Sequence, residues 1–293
     1  MLPFILRWFI PRLIVHKFTY FIGMVLIRFS RKCRAMKKDE KQVFTVVNNF
    51  AKGLKIKVNM NGYMGGAIYW TGLHHVNEYI YLHKILRQDD VFIDVGANQG
   101  EFTLLAASIC YQGHVYAFEP VAVNYKLLKE NIGLNHFKQV STFDVGLFNE
   151  VKTTEIFTPV FNDGGQGLNE GVSTLFKPEN DQEIQTEEIK LAVFDDLLFG
   201  KLERFDVLKI DIEGAELFAL QGMKRSLEKF KPQILIEINH PSDQSHGYSP
   251  KDIVQFLNSL GYRSYTLFRG DLKPVDEMNM KLPGNFVFKH ESE

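Results

Sequence analysis

The rhythm of apolar and polar positions changes three times along this 293-residue chain. From Leu2 to Phe29, Phe, Ile and Leu dominate, but Arg7, Pro11, Arg12, His16 and Lys17 interrupt them. The longest uncharged run, Phe18 to Ile27, is ten residues, whereas a membrane-spanning helix needs about 20 apolar residues. On one continuous helix Arg12, His16, Thr19 and Gly23 would form a single polar stripe, which predicts an amphipathic helix lying in the plane of a membrane. A helix packed on the body is the alternative.

Residues 43–70 read as short strands and turns, with alternation over Leu54 to Val58 and turn signals at Asn61-Gly62 and Gly65-Gly66. Next, apolar strand-like runs alternate with helical stretches: Val91 to Val95, a helix from Thr103 to Ile109, Val115 to Glu119, and a helix from Asn124 to Leu134. The same βαβ rhythm resumes with Val207 to Ile212, one helix through Leu217 to Phe230, Gln233 to Ile238, and a helix over Pro250 to Leu260 with Ser249 as N-cap. Arg263 to Phe268 and Asn285 to Lys289 close the pattern as an expected antiparallel pair at the sheet edge. Thr158 to Val172, rich in Gly, Asn and Asp, reads as a long mobile loop. The predicted organisation is a basic apolar segment over 1–41, a β/α lead-in over 42–88, and one doubly wound α/β domain over 89–293, without repeats.

Charge sharpens this picture. The chain carries −1 overall, yet residues 1–41 hold ten basic and two acidic side chains, or +8, which leaves −9 on the rest. The acidic body lacks the basic field that nucleic-acid binding requires, so no nucleic-acid partner is expected. Arg28, Arg31, Lys32, Arg34, Lys37 and Lys38 would each add about 1 kcal/mol beside an anionic leaflet. Peripheral contact through 1–41, with the body on the cytoplasmic side, is therefore the expectation. No small-residue cleavage site follows the apolar part, which argues against a signal peptide. The two cysteines, Cys33 and Cys110, stand too far apart to suggest a zinc site or a disulfide framework, and Cys110 reads as core.

Three constellations carry chemistry. In Val91-Phe-Ile-Asp94-Val-Gly96-Ala-Asn98-Gln-Gly100 a buried strand ends in an acid and a glycine turn that opens a helix, where Gly96 and Gly100 would let a ligand approach the backbone. The Gly-x-x-x-Gly spacing is not the dinucleotide fingerprint Gly-x-Gly-x-x-Gly. An acid at Asp94 would repel a pyrophosphate but suit a ligand bearing an ammonium group, which disfavours an NAD-dependent oxidoreductase. Glu119, 23 residues after Gly96 at the end of Tyr116-Ala-Phe-Glu119-Pro120, stands where a carboxylate accepts ribose hydroxyls. The third, Leu208-Lys-Ile-Asp211-Ile-Glu213-Gly-Ala-Glu216, brings three carboxylates within six residues, a costly cluster unless it meets a cation or substrate hydroxyls. Further on, Glu237-Ile-Asn239-His240 adds an acid, an amide and an imidazole to the same edge. His240 is a candidate general base, and Asp211, Glu237 and Asn239 form a possible oxygen-ligand set for magnesium or calcium.

These motifs, with Asn131 to Asn135, Asp144-Val-Gly-Leu147, Asp195-Asp196-Leu197 and Gly261-Tyr262, closely resemble the FkbM-type methyltransferases over roughly Gly72 to Tyr262. The resemblance implies a Rossmann-like class I fold with a seven-stranded sheet, S-adenosylmethionine as methyl donor, and O-methylation of a sugar, glycolipid or secondary metabolite. Carried over, Asp94, Gly96, Asn98 and Gly100 would hold the methionine end, Glu119 the ribose and Asp144 the adenine. Asp211 and Glu213, with His240 as the further candidate, would face the methyl group and a small-molecule or glycan acceptor. The basic N-terminus and the Gly-rich stretch depart from the family pattern. A non-catalytic, membrane-associated module that keeps the cofactor fold is the rival reading.

Overall fold

The computed structural model describes residues 2–14, 20–35, 43–51, 53–60, 62–161, 167–168, 173–177, 183–238, 247–275 and 284–291. The apolar N-terminus is two helices rather than one, α1 (Leu2–Ile14) and α2 (Tyr20–Ala35). They pack closely because α2 has a glycine where the two meet: a Cβ on Gly23 would lie 2.6 Å from Ile14 Cγ2. Gly23 thus belongs to a buried helix–helix contact and not to a polar stripe, while His16 and Thr19 lie outside the described residues. Leu6, Ile10, Ile14 and Ile27 are buried in the core shared with the lead-in region.

That region begins with an antiparallel hairpin, β1 (Phe44–Phe50) and β2 (Leu54–Asn59), followed by α3 (Tyr63–Thr71) and α4 (Val76–Ile85). Gly65-Gly66, expected as a turn, lies inside α3. A Cβ at Gly65 would sit 2.2 Å from the Asn59 carbonyl oxygen, so the helix rests backbone to backbone on the end of β2.

The α/β rhythm then unfolds as read, through β3 (Val91–Val95), α5 (Glu101–Ile109), β4 (His114–Phe118), α6 (Ala122–Leu134) and β5 (Val140–Phe143). Around the expected loop the chain holds β6 (Gly146–Leu147), β7 (Lys152–Phe161), β8 (Gly167–Leu168) and β9 (Ile184–Ala192), which form a second sheet in the order β6-β9-β7-β8. Within the expected loop, β7 continues to Phe161 and pairs with Gly167-Leu168; residues 162–166 and 169–172 lie outside the described residues.

The rest comprises α7 (Phe194–Leu198), β10 (Val207–Ile210), α8 (Glu216–Gly222), α9 (Lys224–Phe230), β11 (Gln233–Ile238), α10 (Pro250–Ser259), β12 (Tyr262–Phe268), β13 (Asp271–Pro274) and β14 (Gly284–His290). The single helix expected over Leu217 to Phe230 is two. Gly222 runs against the Phe148 carbonyl oxygen, where a Cβ would come within 2.1 Å. The next helix starts afresh because the Asp195 carboxylate accepts hydrogen bonds from the Arg225 and Ser226 amides at 2.8 and 3.1 Å, an acid at a helix N-terminus. Ser249 caps α10 as expected, its hydroxyl and amide both bonded to Asp252 in a capping box.

The main sheet runs β13-β12-β14-β11-β10-β3-β4-β5, with β5, β4, β3, β10 and β11 parallel and β14 antiparallel to its neighbours. This is the class I doubly wound sheet with an eighth strand: β14 inserts between β11 and β12, and β13 takes the edge. Alternate residues of each central strand enter opposite cores, Phe92, Val207 and Leu235 on one face and Ile93, Leu208 and Ile236 on the other.

Two asparagines tie the lead-in hairpin to this domain. Asn131 on α6 accepts from the Lys57 amide at 2.6 Å and donates to the Lys57 carbonyl, and Asn135 does the same for Lys55. Four helical residues rise about 6 Å, close to the advance of two strand residues, so the two amides stand in for the peptide groups of a missing strand beside β2. Asn131 also donates to the Gln99 carbonyl at 2.8 Å. Replacing fully buried Asn131 by Leu strands these backbone groups, and unfolding followed by circular dichroism should show a loss of roughly 2–4 kcal/mol.

Candidate active site

Strand order reverses between β3 and β10: the chain proceeds from β3 toward β4 and β5 on one side and from β10 toward β11 on the other. In open α/β sheets ligands bind in the crevice beyond the carboxyl ends at such a point. There the structure has an open crevice whose empty space, counted together with its open mouth, is about 890 Å³. Val95 to Asn98 form one wall, Phe118 to Val121 a second, and Lys209 with Asp211 to Glu213 a third. The second sheet covers it with Leu147, Ile156, Ile189 and Leu191, and Met64 and His75 from the lead-in region close the remaining side.

The cofactor turn is shaped by its own packing. Gly96 has φ 76°, and a Cβ there would lie 2.0 Å from the Asp211 carbonyl oxygen; Gly100 has φ 97° and would meet Leu128. The missing side chains let the ends of β3 and β10 touch and α5 pack on α6; Gly96 also lines the cavity, whereas Gly100 does not. Asn98, at φ 50°, does line it, and its amide donates to Glu119 Oε2 at 2.8 Å. The other oxygen of Glu119 accepts from the Val121 amide at 2.9 Å. Burial outweighs these bonds and pushes the Glu119 carboxyl up to about 7.

Asp94 stands behind the wall. It is fully buried, accepts from the Thr103 hydroxyl at 2.6 Å, and its other oxygen lies 3.8 Å from Lys209 Nζ. Burial raises its pKa. Direct contact with a ligand's ammonium group, the expected role, is not what this placement provides. Asp144 is exposed beside the cavity, whose wall at that point is Val145 and Gly146.

Of the three clustered carboxylates, Asp211 and Glu213 line the cavity. Glu216 turns inward, accepting from the Gly214 amide and the Tyr248 hydroxyl, both at 2.9 Å, which separates it from the other two. Glu213 has φ 50°, and its carbonyl accepts from the Thr174 hydroxyl. Lys209, which the sequence reading passed over, lies 3.5 Å from Asp211 and 3.8 Å from Asp94 and donates to the Gly96 carbonyl at 3.2 Å. Burial alone would lower its pKa; the carboxylates of Asp211, Asp94 and Glu237 more than offset this and raise it.

A second missed group is the pair His75 and Glu101. His75 Nδ1 lies 3.2 Å from Glu101 Oε2, and the other oxygen of Glu101 accepts from the His74 amide at 2.9 Å. Burial opposes both charges, yet the hydrogen bond and mutual attraction raise His75 to about 9 and lower Glu101 to about 2. His75 also stands within metal-ligand reach of Asp211 and Glu237, so the imidazole completing that group comes from far earlier in the chain. His240 and Asn239 lie outside the described residues. Glu101 follows the glycine turn directly, and Lys209 is a charge inside an apolar strand, so both left a signal; the His74-His75 pair left none.

The model for the methyltransferase FkbM domain matches residues 94–264, more than half of the chain. The chain belongs to the FkbM methyltransferase family. Relatives include the AMB antimetabolite synthetase AmbE of Pseudomonas aeruginosa, 30% identical over 190 residues, of which the match covers 54% of this chain and 9% of AmbE. Methyltransferase sdnD of Sordaria araneosa is 28% identical, over 54% of this chain and 69% of sdnD. The hexuronic acid methyltransferase AglP of Haloferax volcanii is 25% identical, over 58% of this chain and 62% of AglP. The family's donor is S-adenosylmethionine, and the cavity fits it: a buried carboxylate, Glu119, faces it beside the turn at Asn98, with apolar surface from the second sheet for a ring.

The His75–Glu101 pair sets a pH signature. The contribution of His75 is complete below its ordinary 6.5 and lost as pH rises through about 9; that of Glu101 is complete above 4.5 and lost as pH falls through about 2. The stability difference between the parent and Glu101→Gln, measured by urea unfolding, should therefore be largest between pH 4.5 and 6.5 and shrink on either side.

Proposed function

We propose that the chain is an S-adenosylmethionine-dependent O-methyltransferase acting on a hydroxyl group of a sugar, glycolipid or secondary metabolite. The observation that carries this reading is Asp211 at the strand switch point, with a carboxylate open to the same cavity as Glu119 and Asn98. When bound, S-adenosylmethionine supplies a sulfonium methyl group to which an acceptor oxygen can bond as the carbon–sulfur bond breaks.

Glu119 would hold the ribose hydroxyls and Asn98 the turn beside them. Asp211 would take the proton of the acceptor hydroxyl, which by itself is too weak a nucleophile at neutral pH. Lys209 fixes the Asp211 carboxylate from behind, and Glu213 can accept hydrogen bonds from neighbouring acceptor hydroxyls. The rest of the rate enhancement comes from positioning in a site that the second sheet shields from water. The relatives named for methyl transfer, AglP and sdnD, support this reading, and AglP is itself named for methylation of a hexuronic acid. A cavity so fully built disfavours the non-catalytic module.

Calorimetric titration of the full chain should show binding of S-adenosylmethionine and S-adenosylhomocysteine but not NAD, with Glu119→Ala weakening it at least about tenfold, one lost charge-assisted interaction. Because Glu119 titrates at about 7 and accepts ribose hydroxyls as a carboxylate, affinity should rise from pH 6 to pH 8. Asp211→Asn should keep cofactor binding and lower methyl transfer by roughly 10²–10⁴, the range for loss of a general base. Wild-type turnover in that variant would remove Asp211 from the role, and unchanged activity after chelation would exclude a metal held by His75, Asp211 and Glu237.

A further inference from the structure

We infer that the α1–α2 hairpin is a monotopic docking element that lies flat in the surface of an anionic bilayer. Of the fifteen large hydrophobic side chains exposed among the described residues, eight belong to these two helices. On α1 they are Leu2, Phe4, Ile5, Trp8 and Phe9, and on α2 Ile22, Val25 and Phe29, at spacings that hold to one face of each helix. The opposite face is already occupied, since Leu6, Ile10, Ile14 and Ile27 are buried in the core and Gly23 is closed by Ile14. The exposed residues are therefore not an unpacked core but a second apolar surface on a hairpin that is already seated.

Three observations choose the occupant. No described helix is long and apolar enough to cross a membrane, and α1 and α2, with 13 and 16 residues, extend only about 20 and 24 Å, short of a hydrocarbon core of about 30 Å. The apolar surface is rich in Phe and Trp, the residues that favour the headgroup boundary, and Arg12 stacks over Trp8 at 4.3 Å beside it. Residues 1–41 carry +8 against −9 on the rest of the chain. Pairing the hairpin with its counterpart on a second copy would bring two such positive segments together, whereas an anionic leaflet matches both the charge and the apolar face. Docking is anchored to the fold at Gly72, where a Cβ would stand 3.2 Å from Pro11 and 3.3 Å from the Arg7 carbonyl.

The test is co-sedimentation of the full chain with vesicles of phosphatidylcholine alone and of phosphatidylcholine with phosphatidylglycerol, in low and high salt. The expected result is pelleting with the anionic vesicles that weakens with salt. Phe4→Gln/Trp8→Gln/Phe9→Gln should reduce it at least tenfold while leaving S-adenosylmethionine binding and the thermal unfolding midpoint unchanged, since all three side chains are exposed. Arg28→Gln should weaken it about fivefold, the share of one charge near the surface. A chain that stays in solution with anionic vesicles overturns the proposal, as does a triple variant that is folded by both criteria and pellets like the parent. If light scattering shows a dimer that the triple variant converts to monomer, without vesicle binding by the parent, the face belongs to a second copy and the proposal falls.

Discussion

The site depends on one buried cation. Lys209 points from the central strand into the junction of β3 and β10, where Asp94, Asp211 and the Gly96 carbonyl surround its ammonium group and the ring of Phe102 lies 5.2 Å away. An ammonium ion with no partner at that depth, or two carboxylates without the ammonium, would cost several kcal/mol. Together they allow an acid, Asp211, to line the cavity with its charge partly balanced from behind. The same contact explains why the glycine at 96 is needed. Only a residue without a Cβ lets the turn after β3 close on the Asp211 carbonyl and bring its own carbonyl to Lys209.

Charge balance is arranged separately on each wall. Glu101 has His75, Asp211 has Lys209, and Glu216 has Tyr248 and the Gly214 amide. Glu119 has only amide and side-chain donors, Asn98, Val121 and Asn124, and a more distant pull from Lys209, so burial keeps its pKa near neutrality. A ligand that brings two hydroxyl donors to this carboxylate supplies what the protein alone leaves incomplete. That asymmetry sets Glu119 apart from Glu101 and Glu216, whose partners within the protein hold them in a fixed electrostatic frame.

The sequence displayed the main sheet because its central strands are continuous apolar runs between turn residues, a pattern that parallel strands covered on both faces must produce. It hid the second sheet because β7 and β9 present only one apolar row: Ile156, Ile189 and Leu191 are buried, while Glu155, Lys190 and their neighbours keep the composition polar, and Pro159 reads as a breaker. Glu119, Asp211, Glu213 and Asn98 were legible as strand-end residues. The environment of Asp94 was not, since a carboxylate facing inward and one facing a ligand look the same at the end of a strand. His75 was invisible because its partner lies 26 residues away and only the docking of the lead-in region on α5 brings the two together.

That docking changes the meaning of the first 88 residues. Two independent connections run from them to the site: Asn131 holds the β2 backbone and the Gln99 carbonyl with one amide group, and Glu101 holds the His74 amide and the His75 ring. Without the lead-in region, Glu101 would lose the His74 amide and the His75 counter-charge, and the side now closed by Met64 and His75 would stand open. The hairpin of α1 and α2 packs on this same region through Gly72, three residues before His75, so the segment that carries the exposed apolar face is joined by rigid packing to a wall of the active site. The fold thus makes the N-terminal region a structural part of the cavity and not an appendage to a self-sufficient cofactor domain.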